Sequence, residues 1–158
     1  MKRIQDLTFV KSLSFVFLGL VTLAVLPNWG KLIIASSIAH EVEVSGDVAA
    51  TFHLEPNHNP KAGETAQVWF ALTKRGGEIV PLSQCNCQLS VYVEPRRPDD
   101  KPLISPPLKS ISAEKYQGIP GADVVFPEAG RYELELTGEP KNGADFQPFE
   151  FNYGVTVY

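Results

Sequence analysis

The 158-residue chain has few of the residues that carry chemistry. It holds two cysteines, one methionine and three histidines, and no histidine lies beyond residue 58. Metal and thiol chemistry is therefore confined to a few named positions. No G-x-S-x-G, H-E-x-x-H, P-loop or G-x-G-x-x-G pattern occurs, so no nucleophile elbow, zinc-protease helix or nucleotide cradle is marked. No residue is singled out for catalysis, and no enzyme is expected. Basic residues are also short, with 14 Lys+Arg against 18 Asp+Glu and a net charge of -4. A phosphate-binding face needs the opposite balance, which excludes nucleic acid as an expected partner. The paired carboxylates Glu41/Glu43 and Glu133/Glu135 read as wet strand faces, and Asp99-Asp100 as part of a loop.

What is present is unevenly spread. Residues 1–39 contain Lys2, Arg3, Lys11 and Lys31 against Asp6 alone, a net +3; the other ten basic and seventeen acidic residues follow, a net −7. The first stretch is basic and then apolar, with no charge from Ser12 to Leu26. As a helix that run rises ~22 Å, short of the ~30 Å hydrocarbon core. A basic start, a short apolar run and small residues before a cut describe a secretory signal. Ser37-Ile38-Ala39 supplies the small residues, which puts cleavage before His40. The alternative is an uncleaved anchor over residues 12–34. Both readings keep the basic end inside and export the acidic domain, residues 40–158, to a periplasm or equivalent lumen.

From residue 40 onward the apolar period is close to two. Phe52 and Leu54 alternate with polar neighbours, as do Val68, Phe70 and Leu72, then Cys87, Leu89, Val91 and Val93. The same holds for Tyr132, Leu134 and Leu136, and for Phe149, Phe151, Tyr153, Val155 and Val157. Such alternation builds strands with one buried and one wet face. Turn chemistry separates the runs at Pro60–Gly63, Lys74–Gly77, Pro127–Gly130 and Lys141–Gly143. Arg75-Gly76-Gly77 is read as closing a hairpin onto Glu78–Leu82. The proline-rich stretch from Pro95 to Gly121 reads as a long connection with one edge strand around Leu108–Ile111. The expected fold is an all-β, immunoglobulin-like antiparallel sandwich of seven to eight strands after an N-terminal signal or anchor helix. Glu128–Tyr132 has the form of the corner at which such folds tuck a Tyr hydroxyl back onto the backbone.

These residues resemble small exported bacterial sandwiches, the YtkA-like and FixH-like domains, with a more distant likeness to CopC-type copper-binding proteins. The segments that carry the resemblance are Pro60-Lys61-Ala62-Gly63-Glu64, Lys74-Arg75-Gly76-Gly77 and Phe126-Pro127-Glu128-Ala129-Gly130-Arg131-Tyr132. The resemblance implies a fold, an exported location and metal handling, and no catalytic residue. The Met-rich loops of some copper carriers are absent, since Met1 is the sole methionine.

Three sets of candidate residues follow. Cleavage before His40 would make it the new N-terminus, able to chelate copper through amine and imidazole, with His53 and His58 as further nitrogen ligands. Cys85 and Cys87 form a C-x-C. Side chains two apart on a strand point the same way with Cα atoms ~6.5–7 Å apart, too far for easy bridging, so a local disulfide needs a bulge or turn. The other readings are a small buried hydrophobe at Cys87 and a thiolate pair for a soft ion such as Cu(I). Trp69 has outward parity and is a candidate partner surface. The function expected overall is that of an exported or membrane-tethered binding or structural protein, meeting an envelope or membrane protein; the alternative is a periplasmic copper-binding protein.

Overall fold

The computed structural model describes residues 41–158; the expected signal or anchor segment, the expected cleavage before His40, and His40 itself lie outside the described residues. Eight strands form: β1 (Glu41–Ser45), β2 (Val48–Glu55), β3 (Thr65–Lys74), β4 (Cys85–Val93), β5 (Lys109–Ala113), β6 (Tyr116–Val125), β7 (Gly130–Pro140) and β8 (Phe149–Val157). A single 3-10 turn, Leu82–Gln84, precedes β4. All ladders are antiparallel, in a five-stranded sheet ordered β1-β2-β3-β6-β5 and a three-stranded sheet ordered β4-β7-β8. Without β1, these are the two sheets of a constant-type immunoglobulin sandwich, whose first, second, fifth and fourth strands face the third, sixth and seventh.

The alternation in the sequence decides which face is buried. Val48, Ala50, Phe52 and Leu54 of β2, with Ala66, Val68, Phe70 and Leu72 of β3, face Leu89 and Val91 of β4, Leu134 and Leu136 of β7, and the five apolar residues of β8. Every odd residue from Phe149 to Val157 is buried and every even one exposed. Phe52 stacks on Tyr153 across the sheets, with centroids 4.5 Å apart and planes at 18°. At one end of the small sheet Gly138 pairs with both Cys87 and Phe149. The Phe149 ring fills the space that a Cβ at 138 would need.

β6 departs from the sequence reading, which made residues up to Gly121 a connection. Gly118, Pro120 and Gly121 look like turn punctuation yet lie in a ten-residue strand. The ladder from β3 reaches only to Gly121, so the missing N–H of Pro120 falls where that ladder has ended. Gly121 makes room for the Ile111 side chain from β5. The hairpin expected at Arg75–Gly77 closes, with Lys74 N–H donating to Glu78 C=O at 2.8 Å, but its second arm is one bridge, Thr73 to Ile79.

The connection between β4 and β5 does not hang free. Residue 104 bridges Val91 on the edge of β4, and Arg96 lies 3.5 Å over the Tyr92 ring. The Arg96 Nη1 donates to Glu133 at 2.7 Å and to Glu135 at 2.6 Å. Tyr92, Glu133 and Glu135, read as a wet face, are thus a clasp site for this crossover. At the opposite edge β1 touches the other sheet: Ser45 Oγ accepts from the Glu150 N–H and Glu43 Oε2 from the Asn152 N–H, each at 3.4 Å. Its Val42 and Val44 point outward and are 59% and 73% exposed.

Two buried tyrosines differ in one respect. Tyr132 Oη donates to the Glu128 carbonyl at 2.8 Å, which is the corner the sequence suggested. Tyr153 Oη has no hydrogen-bond partner among the described residues, and burial, ahead of Glu43 and Glu41, pushes its phenol up. The same substitution should therefore act oppositely at the two sites. Tyr132→Phe is expected to cost about 0.5–1.5 kcal/mol, and Tyr153→Phe to be neutral or stabilising, in urea melts of the two variants.

Candidate functional site

His53 and Trp69 are directly opposed on β2 and β3, on the outer face of the five-stranded sheet. Their rings stack with centroids 4.7 Å apart and planes at 18°. Glu55, two residues on and therefore on the same face, accepts from His53 Nε2 at 2.7 Å. The chain then turns through a cis Glu55–Pro56 bond, and Asn57 and His58 both take left-handed backbone angles, φ 52° and 53°. His58 N–H donates to Leu54 C=O at 2.8 Å, and Asn59 N–H to Pro56 C=O at 2.9 Å. This reversal lays the His58 ring edge-on against His53, with centroids 4.7 Å apart and planes at 76°. His58 Nε2 is 3.4 Å from His53 Nδ1.

The order of atoms is thus carboxylate, imidazole, imidazole. A carboxylate only accepts, so the bond to Glu55 places the neutral His53 proton on Nε2. His53 Nδ1 then presents its lone pair toward His58. That is the arrangement in which a metal-binding histidine is held, its far nitrogen donating to a carboxylate. Two metal–nitrogen bonds of ~2.0–2.1 Å at a tetrahedral angle span ~3.3–3.4 Å, the separation seen between these nitrogens. Two nitrogens do not complete a site. Among the described residues no group of three or more His, Cys, Asp or Glu is arranged to hold a metal ion.

The sequence reading placed His53 and Trp69 outward, and both are outward in parity. Outward is not exposed here: His53 is 4% and Trp69 2% exposed. Trp69 joins Ala71 and Ile119 in a second, smaller apolar cluster, with Ile79, Ile111, Ala113 and Tyr116 packed against it. Trp69 therefore presents packing surface rather than an open face. His58, expected in a polar turn, is half-buried against His53 and against Phe52, whose ring centroid lies 5.8 Å away. No spacing rule shows that contact in advance, because it depends on two successive left-handed residues.

Cys85 and Cys87 are joined in a disulfide, with Cα atoms 5.2 Å apart. The bulge expected for this is absent, since the register from Cys85↔Pro140 to Val93↔Tyr132 runs without a shift. A turn does precede the pair: the 3-10 turn Leu82–Gln84 runs into Cys85, which is itself extended and caps it, its N–H donating to the Leu82 carbonyl. Cys85 is fully buried and Cys87 half-buried.

No family model matches the chain, and no curated protein does. Among solved structures, FetP of uropathogenic E. coli strain F11, expressed in the periplasm of E. coli BL21(DE3), is similar over 75% of this chain and 93% of its own, with TM-score 0.50 and 14% identity. A DUF4426 family protein from Pseudomonas aeruginosa PAO1 matches over 75% of this chain and 99% of its own, with TM-score 0.46 and 12% identity. The likeness to FetP is one of fold.

If Trp69 is packing for His53 and the outer cluster, its removal acts on stability first. Trp69→Ala is expected to cost about 3–5 kcal/mol in urea unfolding. A variant that unfolds at the wild-type midpoint would return Trp69 to the surface.

Proposed function

We propose that this chain is an exported binding domain of the bacterial envelope, which meets a protein partner with loops and edges held on a rigid sandwich. The observation that carries export is the Cys85–Cys87 disulfide, since such bonds persist in oxidising compartments and are rare in reducing ones. The basic, apolar leader supports the same compartment, and so does the resemblance to YtkA-like and FixH-like domains. For contact with a partner, the exposed Val42 and Val44 on the edge strand β1 offer apolar surface that the buried Trp69 does not. Cell fractionation with intact-mass measurement tests the compartment. The expected result is chain in the envelope fraction with both cysteines oxidised; reduced chain in the cytoplasm overturns it. The same mass reads whether His40 is the first residue.

A second reading, a copper-binding domain, is favoured by the pair of imidazole nitrogens at 3.4 Å with Glu55 behind His53. Copper takes imidazole nitrogen readily, and the 3.4 Å separation suits a tetrahedral ion such as Cu(I) better than square-planar Cu(II); His40, if it is the mature N-terminus, would add an amine and a third imidazole. In copper titrations of the mature chain, His53→Ala and His58→Ala are each expected to weaken binding at least tenfold. Glu55→Gln should weaken it by about 10–100-fold through the ring it orients. Binding no tighter than micromolar in the unmodified chain leaves the binding-domain reading alone.

A further inference from the structure

The Cys85–Cys87 bridge does little that the fold needs. It closes a loop of three residues, and a loop that short restricts the unfolded chain about half as much as one of fifteen residues. Its two ends already sit in the same ladder, each paired with a residue of β7. It ties no strand to another, and it does not cross between the sheets. A bond of this kind is cheap to open, because opening it leaves the ladder and the core in place.

The bridge is also one-sided. Cys85 is fully buried, which keeps external thiols from its sulfur, while Cys87 is half-buried between the exposed Asn86 and Gln88. Cys87 is part of the wall of a surface cavity of about 430 Å³, with Asn86, Gln88, Thr137, Glu139 and Phe149 among the residues around it. The amides, hydroxyl and carboxylate there can bond the main chain of a visiting segment. Attack on a disulfide runs through the sulfur that can be reached.

We infer that Cys85–Cys87 is a thiol–disulfide exchange site whose substrate is a protein dithiol. One substrate thiol loses its proton to water, and its sulfur attacks Cys87 Sγ. A bond forms between them, the Cys85–Cys87 bond breaks, and Cys85 departs with the electron pair and takes up a proton. The second substrate thiol, also deprotonated, attacks the first substrate sulfur. The substrate disulfide forms and Cys87 leaves as a thiolate, then takes up a proton. Two electrons and two protons have passed from the dithiol to this pair. A disulfide-carrying protein of the same compartment restores the bridge by the reverse steps.

The test uses the purified chain, so its outcome does not depend on where the protein resides. The unmodified protein is held in dithiothreitol buffers of graded reducing strength, alkylated and weighed, with strand content followed by circular dichroism. The bridge is expected to open at millimolar dithiothreitol while the strand signal stays unchanged; a bridge that opens only once urea has unfolded the chain overturns the proposal. In single variants, Cys87 of Cys85→Ser should react with an aromatic disulfide reagent at least tenfold faster than Cys85 of Cys87→Ser. Equal rates overturn the assignment of Cys87 as the attacked sulfur. Where a variant fails to fold, oxidation of a reduced dithiol peptide by the unmodified chain decides the matter: faster peptide oxidation supports the exchange, and a rate equal to the buffer alone rejects it.

Discussion

No disulfide ties the two sheets together; apart from the two hydrogen bonds from β1 to β8 at one edge, they are held face to face by packing, and Tyr153 is where that packing concentrates. Phe52 from the five-stranded sheet stacks on it, and Phe70 lies with its ring 5.8 Å away. An aromatic pair of this kind adds about 0.5–1.5 kcal/mol beyond the area it buries. The arrangement also accepts a cost, because the Tyr153 hydroxyl is buried without a hydrogen-bond partner among the described residues. The inward parity shared by Phe52, Phe70 and Tyr153 on β2, β3 and β8 meets this constraint. A one-residue slip in any of them would turn these rings away from the inner face.

A core closed in this way leaves the outer faces of both sheets available, and each is used. On the small sheet Arg96 lies over Tyr92 and reaches two carboxylates of β7, fixing a connection otherwise made of prolines and charges. On the large sheet the ring of His53 rests on Trp69 and under His58. The two sides differ in chemistry. One is a saturated ion cluster that fastens a loop. The other is a row of carboxylate and imidazoles in which the tautomer of one ring sets what the next ring meets. That difference is why the histidine side, rather than the arginine side, is the candidate for a ligand.

The inner face of the sandwich was legible in the sequence because burial on one side leaves a period of two, and Tyr132 was legible because a corner has its own local pattern. β6 was not, because Gly118, Pro120 and Gly121 serve there as strand residues: Pro120 lies past the ladder to β3 while pairing with Ser110 of β5, and Gly121 clears space for Ile111. Trp69 was placed on the correct side but read as exposed, since parity reports direction and not what lies above. The His53–His58 contact was hidden for a further reason. It needs two non-glycine residues in the left-handed region, which residue type alone does not announce. The disulfide was open among several readings because the ~6.5–7 Å spacing of an ideal strand forbids it, and the approach of the Cα atoms to 5.2 Å is a local contraction that residue type does not announce.

β1 has a consequence of its own. With two residues it lends side-chain oxygens to backbone N–H groups of β8, the outermost strand of the small sheet. An uncovered sheet edge is a template for pairing with other chains, and charged or occupied edges prevent it. β8 carries five apolar residues on one face, so its edge would be a dangerous one to leave open. β1 therefore acts as a guard. A protease that trimmed the chain past Ser45 would leave the core intact but would strip that guard, and the shortened domain would be prone to self-association and fibre growth.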